Sequence, residues 1–381
     1  MAKEIVKINS VGANAVGIAR TKDGKICLVP FSLTNEVCEI EITANHADYS
    51  NGKIINILEK SDKRIQPECK IFELCGGCNF LHTTYENEIE IKIKIVLDSL
   101  NKIGKTNYQG RLTIIFSKSR FYYRNNVQIK TTAEGKIGFY APKTLKVVPF
   151  PDFKCLLLTK RMQEFIDSID KKYFLFTKGF TLRDGINIYT AHLNYNTDSE
   201  FCEYKVNNFI YRVGISDFFQ INNFLLDRFQ KEACNLIKEN LPTIELYGGS
   251  GFFSLPIAQK VPKLLVNELS KRAISNGIYN AKENNVNNIE FIASDAEVFI
   301  KKYNDVSQIF VDPPRAGMEK SVVETIKNSK IQRIIYISCN PATFSRDLYS
   351  LSEKGFELKD LIIIDNFPST HHIELIGEIE R

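Results

Sequence analysis

The sequence predicts an α/β protein with a Rossmann-like domain in its C-terminal half, preceded by a small β-barrel and a β-rich central region. Three observations carry this. After Phe218 a strand, a glycine turn and a helix recur in order. Residues 3 to about 58 read as five short strands, and residues 110 to 205 alternate short aromatic and β-branched runs with turns. The expected domains are 1–60, 61–205 and 206–381.

The first module opens with Ile5-Val6-Lys7-Ile8. Val16 to Arg20 and Ile26 to Val29 then flank Asp23-Gly24, a strong hairpin turn signal. Val37 to Ile42 and Lys53 to Leu58 complete a set of the size of an oligonucleotide-binding barrel. From Glu86, Ile89, Ile93, Leu97 and Leu100 recur at helical spacing, which predicts a helix over 83–103 packed on the catalytic domain. In the central region Arg120-Phe121-Tyr122-Tyr123-Arg124-Asn125-Asn126 interleaves basic and aromatic residues. That pattern suits base stacking and phosphate binding in RNA, and equally suits a structural strand edge. Strands at Ile244–Leu246, Leu264–Asn267, Ile289–Ile292, Ser307–Val311 and Ile334–Ser338 alternate with helices, which predicts a parallel sheet covered on both faces.

Composition narrows the classes. The 381 residues exceed what one hydrophobic core usually organises, and 44% hydrophobic with 25% charged residues is a globular balance. The first residues lack the apolar run of a signal peptide, and later apolar stretches are broken by charge, so a soluble cytoplasmic protein with no membrane partner is expected. The net charge of +5 only hints at an anionic partner.

In a reducing compartment the nine cysteines read as metal ligands, nucleophiles or core residues rather than disulfides. Cys69, Cys75, Gly76, Gly77 and Cys78 put three thiols in ten residues, with glycines that let the backbone wrap around a bound centre. Cys155 is the candidate fourth ligand, and both a structural zinc and a cubane iron–sulfur cluster take four thiolates. Cys27, Cys38, Cys202 and Cys234 suit buried, unliganded positions.

Glu245-Leu246-Tyr247-Gly248-Gly249-Ser250-Gly251 is a strand running into a glycine turn, the form in which backbone approaches a ligand at the end of a sheet strand. Glu268 ends the next strand, Asp295 follows the third and Asp312-Pro313-Pro314-Arg315 ends the fourth, so three acids sit at successive strand ends. Cys339, in Ser338-Cys339-Asn340-Pro341-Ala342-Thr343, is a candidate nucleophile. Glu374, in His371-His372-Ile373-Glu374, is a candidate base.

Over nearly its whole length the chain resembles the RNA uracil-C5 methyltransferases, of the 23S ribosomal-RNA type with a TRAM domain and a [4Fe–4S] cluster. The resemblance implies transfer of a methyl group from S-adenosylmethionine to C5 of a uridine in RNA. Cys339 would add to C6 and Glu374 would take the C5 proton. It assigns Gln220, Tyr247, Gly249, Gly251, Glu268, Asp295 and Asp312 to the methyl donor. Phe218 and Arg124 go to the RNA, and Cys69, Cys75, Cys78 and Cys155 to the cluster. The chain departs from the family at Gly248, where cysteine is usual, at Phe252, where asparagine is usual, and at Ser369, where histidine is common; His372 matches the second histidine. Members with this layout also act on transfer RNA. The rival readings are a radical S-adenosylmethionine enzyme, which needs a C-x3-C-x2-C motif that is missing here, an amino-methylating enzyme using Asp312 to Arg315, and a non-catalytic RNA-binding protein.

Overall fold

The computed structural model describes residues 2–381, which form two compact units. The first gathers residues 2–95, 138–155 and 367–372, and the second residues 96–137, 156–366 and 373–381.

In the first unit the strands Lys3–Lys7, Ser10–Gly12, Val16–Arg20, Ile26–Pro30, Val37–Asn45 and Tyr49–Glu59 make one six-stranded sheet. Alternation drives it: Val6, Ile8, Ala19, Cys27, Val29, Cys38 and Ile40 all turn to one buried face. In space the order is first, fifth, sixth, fourth, third, second, and all pairs are antiparallel except Ile26–Pro30 with Tyr49–Glu59. The edge strands Lys3–Lys7 and Ser10–Gly12 do not pair with each other, so among the described residues no closed barrel forms. The sequence predicts five strands; the sixth, Ser10–Gly12, spans too few residues to show an alternation. Residues 60–84, which carry Cys69, Cys75 and Cys78, contain turns and no helix or strand.

The helix predicted over 83–103 runs Tyr85–Lys102. Glu86 and Glu88 in its first turn and Lys102 in its last complement the helix dipole.

The second unit is built on an eight-stranded sheet. Its spatial order is Ile289–Ala293, Leu264–Glu268, Thr243–Leu246, Gln308–Val311, Arg333–Ser338, Glu374–Glu380, Glu357–Ile364 and Arg111–Ile115. The first five are parallel, as predicted. The full sheet is mixed, however, because Glu374–Glu380 runs antiparallel to both its neighbours. Arg111–Ile115, read from sequence as part of the central region, instead pairs in parallel with Glu357–Ile364 at the sheet edge. The parallel strands Gln308–Val311 and Arg333–Ser338 are buried throughout, which explains their unbroken apolar runs. A core including Phe219, Phe229, Phe252, Phe253, Leu255, Val266 and Phe310 packs within this unit. The remaining cysteines expected in cores, Cys202 and Cys234, are buried here as Cys27 and Cys38 are in the first unit.

Candidate active site

Sheet register brings the first pair of functional residues together. Ser338 lies opposite Leu375 in the antiparallel pairing, and one further step sets Cys339 at the level of Glu374. Because Glu374–Glu380 runs against the parallel strands, its first residue falls at their carboxyl ends. Tyr336 pairs with Val311 and Leu246 with Val311, so Asp312 and Tyr247 leave their strands at the same end. Glu268 pairs with Ala293, and Asp295 follows two residues later. The tips of six neighbouring strands thus converge on one edge of the sheet.

The electrostatics of this edge are dominated by its acids. Burial first, then the carboxylates of Glu374 and Asp312, push the Cys339 thiol up to about 11 against the pull of the Arg315 guanidinium. Burial, then Asp312, holds the Glu374 carboxyl well above the usual range. Burial alone brings Asp312 up to about 7. Glu245, which the sequence reading passed over, is 1% exposed beneath the glycine turn, and burial lifts its carboxyl to about 8. Its position inside a strand gave no sign of a site; the register that aims it at the turn did.

The glycine turn is fixed by hydrogen bonds. The Gly249 N–H donates to Glu268 Oε2 at 3.0 Å, the Ser270 N–H to Glu268 Oε1 at 2.8 Å, and Asn280 Nδ2 to the Ser250 carbonyl at 2.9 Å. Gly249 and Gly251 have φ of +55° and +91°, where a side chain is strained. Tyr247 shares the left-handed region at φ 63°, and its hydroxyl donates to Glu319. Gly248 has a different reason: a Cβ there would stand 2.2 Å from Val266 Cγ1, so Val266 fills the space that the family's cysteine side chain needs. Phe252 packs edge-to-face in the aromatic core, 5.4 Å from Phe219 and 4.7 Å from Phe253, and an asparagine there would bury an amide among rings.

Other expected residues are placed as follows. Asp295 caps the helix Ala296–Lys302 by accepting from the Glu297 N–H at 2.8 Å. Gln220 is buried, and its side-chain oxygen accepts from Asn366 Nδ2 at 3.2 Å. Phe218 is 73% exposed while the adjacent Phe219 stacks on Tyr204 at 4.3 Å, so only Phe218 offers a face to a ligand. Arg124 is half-buried with its Nε donating to the Asn126 carbonyl, and Asn125 Nδ2 donates to the Gln220 carbonyl at 3.1 Å. In the first unit the His372 ring lies 4.1 Å from that of His371, and Ser369 is buried with its N–H donating to Glu88.

Among the described residues no three His, Cys, Asp or Glu side chains are drawn together closely enough to hold a metal ion. Cys69, Cys75 and Cys155 are nonetheless each within electrostatic reach of Cys78. Burial pushes the Cys78 thiol well up, and Cys155, Cys75 and Cys69 add to it in that order. A Cβ on Gly77 would lie 3.5 Å from the Cys75 Sγ, so the glycine leaves room beside that thiol.

A parallel sheet with a glycine turn, acids at successive strand tips and a cysteine facing a glutamate defines a Rossmann-like group-transfer enzyme. Residues 192–378 match the tRNA (Uracil-5-)-methyltransferase family. A protein of Aquifex aeolicus described as an uncharacterized RNA methyltransferase is 30% identical over 94% of both chains. The 23S rRNA (uracil(1939)-C(5))-methyltransferase RlmD of Legionella pneumophila is 26% identical over 100% of this chain and 98% of its own. The crystal structure of Pyrococcus abyssi tRNA (uracil-54, C5)-methyltransferase with S-adenosyl-L-homocysteine has the same fold. Its TM-score is 0.74 at 21% identity, covering 98% of this chain and 99% of that one. The chain belongs to the RNA (uracil-5-)-methyltransferase family and is an S-adenosylmethionine-dependent enzyme. No helix among the described residues is long and apolar enough to cross a membrane.

Proposed function

We propose that this enzyme methylates C5 of a specific uridine in 23S ribosomal RNA. The observation that carries the chemistry is the register that sets Cys339 level with Glu374 at the strand tips. Carbon 5 of uracil is a weak nucleophile. Addition of the Cys339 thiolate to C6, with its proton lost to solvent, makes an enolate whose C5 can attack the sulfonium methyl group. S-adenosylhomocysteine leaves. Glu374 then takes the C5 proton, the C5–C6 double bond re-forms and the thiolate departs.

The raised carboxyls suit this sequence. Glu245 and Glu374 are buried and Asp312 is half-buried, no cation among the described residues offsets the rise of their carboxyls, and a sulfonium donor supplies one. Its charge favours both the Cys339 thiolate and the Glu374 carboxylate, the two ionised forms that the reaction needs. We assign Gln220, Tyr247, Gly249, Gly251, Glu268, Asp295 and Asp312 to the donor, and Phe218 and Arg124 to the RNA. An extruded base can stack on the exposed Phe218 ring. The N-terminal sheet takes the RNA-binding role of a TRAM module.

Cys69, Cys75, Cys78 and Cys155 are assigned to a [4Fe–4S] cluster. The fit rests on the influence of three soft thiols on a fourth, Cys78, and on the room beside Cys75 at Gly77. When bound, such a cluster would cross-link a segment that has no regular structure of its own, and with all four irons ligated by protein it would leave none open for chemistry. His372 is left without a catalytic role.

The ribosomal target is proposed from the full-length likeness to the Legionella pneumophila enzyme. The test is mass mapping of 5-methyluridine in ribosomal and transfer RNA after incubation with purified enzyme and S-adenosylmethionine. A single methylated position in 23S RNA is expected. Methylation of transfer RNA alone would keep the chemistry and overturn the substrate, and methylation of neither would favour a binding protein.

A further inference from the structure

The loop after Asp312 is bound to the helix Pro341–Ser352 and its cap through three carbonyls and one N–H. Asn340, the residue that follows Cys339, donates from Nδ2 to the Arg315 carbonyl at 3.0 Å, and Thr343 Oγ1 donates to the same oxygen at 3.3 Å. Arg346 Nη2 donates to the carbonyls of Ala316 at 3.0 Å and Met318 at 3.3 Å. The Met318 N–H donates to Asp347 Oδ2 at 2.9 Å. Asp347 is 2% exposed; its Oδ2 also accepts from the Tyr336 hydroxyl at 2.6 Å, and its Oδ1 accepts from Arg346 Nε and Nη2 at 2.8 and 2.7 Å. Gly317, at φ +80°, lies so close on this pair that a Cβ would stand 2.6 Å from Arg346 Nη2 and 2.7 Å from Asp347 Oδ2.

Tyr336 belongs to the strand that ends at the nucleophile, so Asp347 joins three pieces: that strand, the helix after it and the loop carrying Arg315. A planar guanidinium is needed because one fork serves two loop carbonyls and a carboxylate together. We propose that Arg346 and Asp347 are positioning residues that lock the 312–318 loop to the nucleophile turn and so keep the Arg315 guanidinium within electrostatic reach of the Cys339 sulfur. This rests on Cys339 being the nucleophile. Among the described residues the charged groups that act on that thiol are Glu374 and Asp312, which oppose ionisation, and Arg315, the cation that favours it. A loop released from the helix removes that cation from its place.

The test reads the thiol directly, without RNA or donor. The rate of Cys339 alkylation by iodoacetamide, followed at the peptide level by mass spectrometry, is measured against pH in the full chain. Arg315→Ala and Arg346→Ala are each expected to lower the rate near pH 8 by about tenfold, one pKa unit, and the double variant no further. Arg346→Lys keeps the charge but not the fork, and is expected to behave as Arg346→Ala. Thr343→Val, which leaves every buried charge in place, shifts the profile the same way by about threefold, half a pKa unit, and serves if the Arg346 variants do not fold. An Arg346→Lys profile like that of the wild type, additive effects in the double variant, or no shift in Thr343→Val would overturn the proposal. Failure of the underlying reading has a different signature: RNA methylation that persists in Cys339→Ala.

Discussion

The turn after Ser338 and the segment from Cys69 to Cys78 both present thiols, on scaffolds of opposite kinds. Cys339 follows a strand buried at all six positions and precedes a helix with Asn340 as its cap and Pro341 in its first turn. The backbone fixes it before any ligand arrives. Cys69, Cys75 and Cys78 sit in turns, held by a few bonds such as Cys75 N–H to the Ile71 carbonyl at 2.9 Å and Gly76 N–H to the Tyr140 carbonyl at 3.2 Å. A reactive thiol that must meet a substrate in one geometry is built on regular elements. A ligand thiol can leave its order to the centre it binds.

Four measurements can break or sharpen that contrast, and the largest effect belongs to the fixed thiol. Cys339→Ala should reduce methylation by about 10⁴-fold or more, because the activating addition is lost, with donor affinity kept; activity within tenfold of wild type would end the nucleophile assignment. Cys78→Ser, on the other thiol set, should abolish visible iron–sulfur absorbance and destabilise the protein by about 3 kcal/mol or more. It should leave the pH profile of Cys339 alkylation where it was. An unchanged melt would mean that the segment holds itself together.

The third concerns pH. The carboxyls of Glu245 and Asp312 are raised by burial to about 8 and about 7, so between pH 4.5 and 8 the folded chain holds more protons than the unfolded one. Their contribution is complete below the ordinary carboxyl range and is lost as pH rises through 7 and 8, on the order of 3 kcal/mol, discounted for the half-buried Asp312. Denaturation of ligand-free protein should therefore show stability falling from pH 5 to 8, and Glu245→Gln should flatten the slope. The smallest effect tests the turn. Gly248→Cys should cost about 1–3 kcal/mol by overpacking against Val266, and adding Val266→Ala should recover most of it.

Much of the sheet was legible because buried parallel strands read as apolar runs; all five predicted in the second half lie within one residue of the observed bounds at each end. The antiparallel run of Glu374–Glu380 was not legible, since direction within a sheet leaves no mark in a strand's own residues, yet it is what brings Glu374 to Cys339. Arg111–Ile115 escaped assignment to the sheet because its partner Glu357–Ile364 lies some 245 residues away. Phe252 looked like a gap in a binding motif, and its place among Phe219, Phe229 and Phe253 gives it a packing reason that spacing cannot reveal. The six bonds of Arg346 and Asp347 left no signal either, because neither residue belongs to a recognisable pattern.

The account stands on Cys339 and Glu374 acting in turn on opposite sides of one base. Glu374→Gln keeps the shape of the side chain and removes the base, so methyl transfer should proceed and elimination should stall. Incubated with its RNA and S-adenosylmethionine, this variant should accumulate a covalent complex that survives denaturation, with methylated uridine attached to Cys339. Free methylated RNA released at the wild-type rate, with no such complex, would contradict the assignment of Glu374 as the base.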